Sequence, residues 1–300
     1  MDTKQYALIT GSSQGLGRAI AEECAGRGMN LILVSLPDSG LPEVASIIRR
    51  VYEVEVEYRE TDLTERESPT SLVEWVRSRG FRLTMLVNNA GTGYNRRFDQ
   101  STLHENETTI ELNVLALVRL THLLLPKLVD DGPAYVLNVG SLAAYFPMPF
   151  MPVYSPTKSF VVNFSLALRE EMVSSGLSVS VLCPNGIRTN KGCREQIDRQ
   201  GLAGRLTCLY PDQVARAAVR GLLDGRPIIV PGIVNKIIRA VGSIVPRTLV
   251  MRVVARHWGT AAPSCDSRGA SAKGPLREAC EPDRRLVRSL PRARRRAPAL

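Results

Sequence analysis

A tyrosine and a lysine four residues apart form the first candidate chemical pair in this chain. Tyr154 and Lys158 bound the segment YSPTK, and residues four apart share one face of a helix. A free phenol has a pKa of about 10 and is a poor base at neutral pH, but a nearby ammonium favours the ionised phenol and lowers that pKa. The pair therefore predicts a general acid/base. By itself the spacing is more often that of a solvated helix face, so other motifs must support it.

A glycine-rich loop is the second candidate feature. The segment TGSSQGLG begins at Thr10, directly after the strand-like run YALIT, and opens a helical pattern. Glycines let a backbone approach a pyrophosphate closely, and a helix N-terminus offers unpaired N–H groups and a positive dipole end. The alternative is a strand-to-helix turn that needs glycine only for its geometry. The predicted dinucleotide contacts in this loop are Gly11, Ser12, Ser13, Gly15, Leu16 and Gly17.

A third segment, NNAG, ends the fourth candidate strand. Its residues Asn89, Ala90 and Gly91 are small enough for a cofactor to lie against the backbone. Alone this is a weak signal, because any loop can hold Asn and Gly. Its position after an apolar strand gives it meaning.

Short β-branched runs alternate with longer helical patterns, which is typical of βαβ units and a parallel sheet covered on both faces. The candidate strands are Tyr6–Thr10, Leu31–Val34, Val54–Tyr58, Met85–Asn88, Tyr135–Val139, Val179–Cys183 and Ile228–Val230. Helical stretches begin near Leu16, Pro42, Thr64, Leu103, Tyr154 and Pro211. The pattern predicts an α/β fold: a Rossmann-type, doubly wound parallel sheet of about seven strands in a three-layer α/β/α arrangement, with ligands at the carboxyl ends of the strands.

The combined motifs resemble the short-chain dehydrogenase/reductase family, classical type, over about residues 4–258. TGSSQGLG, NNAG, Asn113 in ELNVLA, Ser141, YSPTK and a proline-containing turn after the sixth strand follow that family's order and approximate spacing. The resemblance implies an NAD(P)-dependent oxidoreductase that interconverts a carbonyl and a secondary alcohol by hydride transfer. It implies that Tyr154 exchanges the proton and that Lys158 lowers the pKa of Tyr154 and holds the nicotinamide ribose. Ser141 would hydrogen-bond the reacting oxygen, and Asn113 would anchor a proton-relay water.

The resemblance also assigns further cofactor contacts. Asp62 and Leu63 would flank the adenine, and Thr189 would contact the carboxamide. The remaining contacts in the turn after the sixth strand are Pro184 and Ile187.

Two positions depart from the family pattern. The family's Pro-Gly turn has Asn185 in place of the glycine, and asparagine tolerates a left-handed backbone. At the end of the second strand, Ser35 replaces an NAD-selecting carboxylate, and Leu36 replaces an NADP-selecting arginine. Because Ser35 can donate a hydrogen bond to a 2′-phosphate, NADP is favoured slightly over NAD.

The bulk numbers predict one domain, residues 1–258, and a tail. The chain has 300 residues, 44% hydrophobic content and a formal net charge of +10. Residues 256–300 contribute +7 of that charge. Residues 259–300, rich in Ala, Arg and Pro, are predicted to be disordered, and their arginines are interpreted as a solvated run rather than a site for RNA, DNA or acidic lipid.

No leader, membrane span or metal site is predicted. The six cysteines contain no CxxC pair and the three histidines lie far apart, which favours reduced thiols in a cytoplasmic protein. The expected partners are a small carbonyl or alcohol substrate and a second copy of the chain, as a homodimer or homotetramer.

Residues 233–258 repeat apolar side chains at helical spacing, interleaved with basic ones. Such a basic amphipathic segment can lie on a membrane surface, or it can cover a core or a subunit contact. Packing is favoured, and peripheral membrane contact remains the alternative.

Two other functions remain open. The chain could be a catalytically silent nucleotide sensor or scaffold, because fold does not fix function, or the arginine-rich tail could be the working part. The segment 190–210 mixes charged and apolar residues, so it leaves both sugars and lipids open as substrates.

Overall fold

A computed structural model describes residues 4–188 and 207–245 of the chain. Seven strands form one parallel sheet in the order β3-β2-β1-β4-β5-β6-β7. The strands are β1 Gln5–Thr10, β2 Asn30–Ser35, β3 Val56–Glu60, β4 Arg82–Asn88, β5 Ala134–Val139, β6 Leu177–Leu182 and β7 Ile228–Ile229. The predicted fold class is confirmed.

Eight α-helices connect or flank these strands within the described residues. They are α1 Gly15–Ala25, α2 Leu41–Tyr52, α3 Ser68–Ser78, α4 Leu103–Ile110, α5 Leu117–Asp130, α6 Tyr154–Glu171, α7 Pro211–Leu223 and α8 Ile233–Ile244. Helix α3 begins later than its predicted start near Thr64. Both the backbone N–H and the hydroxyl of Thr64 donate to Asp62 Oδ1, at 2.9 and 2.7 Å, and this local turn delays the helix.

The helices cover both faces of the sheet. Helices α1, α2 and α7 bury their apolar sides on one face, and α3, α5 and α6 bury theirs on the other. The central strands are buried on both faces, which explains why they read as continuous apolar runs rather than alternating ones.

The order of the strands positions the site. Strand β2 lies on one side of β1 and β4 lies on the other, so the chain direction across the sheet reverses between β1 and β4. Ligands of doubly wound sheets bind at the carboxyl ends of the strands around such a reversal. The loops that carry TGSSQGLG and NNAG are therefore neighbours.

Residues Leu103–Asp130 form one continuous helical stretch, long and apolar enough to cross a membrane by length and composition alone. Core helices of soluble proteins pass the same test. Leu120, Leu124 and Leu128 on α5 are buried against the sheet. The α5 part of this stretch therefore serves as a core helix of the domain.

Some predictions fall outside the described residues. These are the carboxamide contact of Thr189, most of the segment 190–210, the part of the amphipathic segment beyond residue 245, and the tail 259–300.

Candidate active site

The loop after β1 is held against the loop after β4 by close backbone packing. A Cβ on Gly17 would lie 2.1 Å from the carbonyl oxygen of Gly11 and 2.5 Å from Nδ2 of Asn89. A Cβ on Gly11 would lie 2.9 Å from that same Nδ2, which donates to the carbonyl oxygens of Thr10 and Gly11 at 2.8 and 3.1 Å. These two glycines are therefore required by the contact between the loops, which adds a structural reason to the predicted cofactor role.

Thr10 is a site residue that sequence reasoning missed. Its hydroxyl accepts from the backbone N–H groups of Asn89 and Ala90 at 3.0 and 2.9 Å, and donates to the carbonyl of Val87 at 3.3 Å. Thr10 thus joins the carboxyl ends of β1 and β4. Its only sequence signal was its place before the first glycine.

The N-terminus of α1 suits an anion. No side chain caps the helix at Gln14, and the first turn holds no acidic residue, so its N–H groups and dipole can be offered to a phosphate. Ser12 donates to the carbonyl of Val34 at 3.2 Å, and the hydroxyls of Ser13 and Ser35 lie 2.8 Å apart. The glycine loop and the end of β2 therefore form one polar cradle that fits a dinucleotide.

Asn113 lies in a π-helical turn, Glu111–Ala116, between α4 and α5. Its Nδ2 donates to the carbonyl of Thr92 at 2.8 Å and to the hydroxyl of Thr157 at 3.0 Å, and its Oδ1 accepts from the Thr92 N–H at 2.9 Å. The turn widens the helix at the point where Asn113 must face inward, as such bulges often do at functional sites. Both amide hydrogens are used, so a relay water could contact the side chain only at the second lone pair of Oδ1.

Lys158 is almost fully buried beneath the site. Its ammonium donates to the carbonyl of Val139 at 2.9 Å, and burial lowers the pKa of Lys158 to about 8. A Cβ on Gly91 would lie 3.2 Å from Nζ of Lys158 and 2.9 Å from Oδ1 of Asn113. The absence of a side chain at Gly91 therefore keeps space beside both groups.

Tyr154 begins α6, and Nζ of Lys158 lies 5.8 Å from the centroid of its ring. The expectation that Lys158 lowers the pKa of Tyr154 requires correction: burial raises that pKa, and a hydrogen bond with the Ser141 side chain lowers it by a smaller amount. The reason lies in the lysine, whose ammonium is directed at Val139 and whose charge is itself disfavoured by burial. The phenol is therefore protonated at neutral pH and suited to donate a proton.

Ser141 is fixed by the turn that it starts. Its Oγ accepts from the Ala143 N–H at 3.1 Å, so Ser141 caps the short 3-10 turn Leu142–Tyr145. Ser155 is the residue after Tyr154. Its hydroxyl donates to the backbone carbonyls of Ala143, at 2.8 Å, and Phe146, at 2.7 Å, in the turn that follows Ser141. These bonds tie the turn after β5 to the start of α6, and they keep the Ser141 and Tyr154 hydroxyls together.

The turn after β6 closes the site. Pro184 accepts from the Leu142 N–H at 2.8 Å, and Ile187 forms a bridge with Leu209. Asn185, which departs from the family glycine, donates to Oδ1 of Asn235 on α8 at 3.4 Å. The substitution thus has a structural role that the sequence alone did not reveal.

The comparisons with known proteins agree with this geometry. The sequence model of the short chain dehydrogenase family matches residues 5–199. A very-long-chain 3-oxoacyl-CoA reductase of Bos taurus is 31% identical over 62% of this chain and 60% of its own length. The ketoacyl reductase HetN of Nostoc is 28% identical over 82% of this chain and 87% of its own length. A short-chain dehydrogenase of Sphingobium yanoikuyae, solved in complex with NADPH, superposes with a TM-score of 0.67 at 28% identity, covering 89% of this chain and 98% of that one.

This chain belongs to the short-chain dehydrogenase family, whose members are NAD(P)-dependent oxidoreductases. The family resemblance inferred from the motifs is therefore confirmed, and so is the expected cofactor class, NAD(P). The chain spans 60% of the length of the bovine relative that it matches.

Proposed function

We propose that this chain reduces a ketone or 3-oxo group to a secondary alcohol with NADPH as the hydride source. One observation carries the proposal: the Ser141 side chain acts on the Tyr154 hydroxyl and lowers its pKa, and the buried ammonium of Lys158 lies 5.8 Å from the centroid of the Tyr154 ring. Two hydroxyls that can donate hydrogen bonds are therefore available where a carbonyl oxygen would gain negative charge.

The chain's own residues account for the proton. Ser141 orients the carbonyl oxygen, and Tyr154 transfers its hydroxyl proton to that oxygen as the C–H bond forms, leaving a phenolate. Ser141, whose side chain lowers the pKa of Tyr154, favours this phenolate. NADPH, when bound, supplies the hydride that the carbonyl carbon accepts. Asn113 keeps α6 in place through Thr157 and is the proposed anchor of the water that returns the proton.

The cofactor cradle supports the choice of NADPH over NADH. Position 35 carries a hydroxyl rather than a carboxylate, and Ser13 places a second hydroxyl 2.8 Å from it. A carboxylate there would repel a 2′-phosphate, whereas hydroxyls donate hydrogen bonds to one. The remaining proposed contacts are Asp62 and Leu63 for the adenine, Asn89, Ala90 and Gly91 for the ribose side, and Pro184, Ile187 and Thr189 for the carboxamide side.

The names of two relatives suggest the first substrates to test. The bovine and Nostoc proteins are named as 3-oxoacyl-CoA and ketoacyl reductases. We therefore propose a carbonyl compound with an apolar portion, such as a 3-oxoacyl thioester. The direct test measures the loss of NADPH absorbance with a panel of 3-oxoacyl thioesters, bulky ketones and keto sugars. Tight NADPH binding without turnover of any of them would support a nucleotide sensor or scaffold instead.

We also propose a homo-oligomer. Leu103 and Phe160 on α4 and α6 are exposed, 73% and 40% respectively, which supports a subunit contact on that side of the sheet. We further propose a cytoplasmic enzyme with peripheral membrane contact through residues 233–258, because the described part of that segment carries outward apolar side chains. Nucleic acid is not among the proposed partners.

A further inference from the structure

Helix α8 buries one polar side chain and exposes several apolar ones. Asn235 is 1% exposed, and its Nδ2 donates to the carbonyls of Thr207 and Pro231, both at 2.9 Å. The apolar side chains of Ile233, Ile237 and Val241, spaced four apart, are 70%, 56% and 52% exposed. A buried asparagine thus anchors the helix, while an apolar stripe faces outward.

The stripe therefore does not pack against the described part of this chain, and the packing interpretation of residues 233–258, which includes a subunit contact, stays a prediction. Half-buried Val234 and Ile238 face the domain, so the helix is apolar on more than one side. Exposed contiguous apolar surface on a soluble domain marks an interaction site. We call Ile233, Ile237 and Val241 the α8 stripe.

A basic cavity of about 540 Å³ lies next to the stripe. It runs along β7, the last strand of the sheet, to the first turns of α8. Lys236 belongs to the cavity wall, and it lies next to Ile233 of the stripe on the helix surface because the two are three residues apart. The basic residues of the wall are Arg216, Arg220, Arg226 and Lys236.

The cations of the cavity outnumber the nearby anions. Arg216 pairs with Asp212 at 2.6 Å, whereas Arg226 and Arg220 share Asp224 at 3.0 and 4.0 Å. Lys236 has no ion-pair partner among the described residues. Four cations therefore face two carboxylates. A second copy of the chain docked here would bring like charges together, which disfavours self-association at this face.

We propose that this cavity binds the phosphate headgroup of an anionic phospholipid while the α8 stripe enters the adjoining acyl region. Arginine guanidinium groups bind phosphate oxygens through paired N–H donors. The N-terminus of α8, which no side chain caps and whose first turn has no acidic residue, opens on the same cavity. Apolar insertion through α8 and headgroup binding in the cavity thus act on adjacent surfaces of the domain. This inference rests on the proposed peripheral membrane contact and adds the headgroup site to it.

The test is co-sedimentation of the full chain with vesicles at low salt. The vesicles are neutral phosphatidylcholine alone or phosphatidylcholine containing phosphatidic acid. Arg220→Gln combined with Lys236→Gln removes two cavity charges, and Arg79→Gln combined with Arg97→Gln removes two exposed charges elsewhere as the matched control. Ile233→Ser combined with Ile237→Ser weakens the stripe. Circular dichroism melting checks that each variant folds, and NADPH turnover is measured on the same samples.

We expect phosphatidic acid to strengthen sedimentation of the wild-type chain and of the control about tenfold or more. The cavity variant should lose that preference and retain the weaker binding to neutral vesicles, and the stripe variant should lose both. A cavity variant that sediments like its control would overturn the headgroup site and leave the membrane contact intact. If the wild-type chain sediments with neither type of vesicle, both the headgroup site and the membrane contact are overturned.

Inorganic phosphate separates a lipid site from a site for free phosphate. Binding of phosphate to the cavity, measured by calorimetry, without sedimentation on phosphatidic acid vesicles would overturn the lipid assignment. If the wild-type chain sediments with phosphatidic acid vesicles but shows no turnover, the result counts against the proposed reaction alone.

Discussion

The backbone of Gly93 lies directly against the ring of Tyr154. A Cβ at Gly93 would be 2.2 Å from Cδ2 of the ring and 2.8 Å from Cγ, closer than any side chain allows. Gly93 therefore defines one wall of the slot that holds the phenol. It acts as a positioning residue, because it contacts Tyr154 rather than contributing a reactive group of its own.

Gly93→Ala should displace the phenol from Ser141 and lower kcat by roughly tenfold or more, since misplacement of a catalytic group by about 1 Å can cost two orders of magnitude. NADPH affinity should change little. Gly26→Ala is the matched control, because its nearest neighbour would be 3.3 Å away and its backbone is right-handed helical. Equal kcat values for the two variants would show that the slot does not constrain Tyr154.

The buried ammonium of Lys158 should be visible in the pH dependence of stability. Its pKa falls from an ordinary value of 10.5 to about 8 in the folded chain because of burial. Between these values the unfolded chain holds a proton that the folded chain has released, so the free energy of unfolding should rise with pH across that window. The rise is worth about 3 kcal/mol in total.

Denaturant unfolding at several pH values from 7 to 11 measures this effect. Lys158→Met should lack the rise, and Lys236→Met, which removes an exposed lysine, should follow the wild type. Parallel curves for the wild type and Lys158→Met would contradict the assigned cost of burying this cation.

Cofactor choice should depend on position 35. Ser35→Asp places a carboxylate where a 2′-phosphate would lie, and we expect the ratio of NADPH to NADH affinity to fall at least tenfold, about 1.4 kcal/mol. Ser78→Asp adds the same charge at an exposed position at the end of α3 and serves as the control. A wild-type chain that binds NADH more than tenfold tighter than NADPH would show that the preference is assigned wrongly.

The motifs of the site were readable from sequence because their chemistry requires particular residue types at short spacing. TGSSQGLG and NNAG predicted two loops that meet at the ends of β1 and β4. The bridging role of Thr10 and the packing role of Gly93 were not predicted, since both depend on contacts between segments far apart in the chain. The partner of Asn185, on α8, was hidden for the same reason.

The direction of the Tyr154 pKa shift and the outward side of α8 could not be predicted from the spacing of residues. The YxxxK pattern placed Lys158 beside Tyr154, but the direction of the Tyr154 pKa depends on burial and on where the ammonium points. The apolar period of residues 233–258 predicted a helix, and α8 is present from Ile233 to Ile244. The hydrogen bonds of Asn235 determine which side of α8 faces outward. A periodic pattern of apolar residues gives no information about those bonds.

The acid/base role of Tyr154 is tested most directly by Tyr154→Phe, which removes one hydroxyl and leaves the ring against Gly93. We measure turnover of the best carbonyl substrate with NADPH, together with NADPH affinity, and use Tyr135→Phe on β5 as the control. The account predicts a fall in kcat of roughly 10²–10⁴, with NADPH affinity and melting temperature close to those of the wild type. Retention of wild-type turnover in Tyr154→Phe would contradict the proposed mechanism.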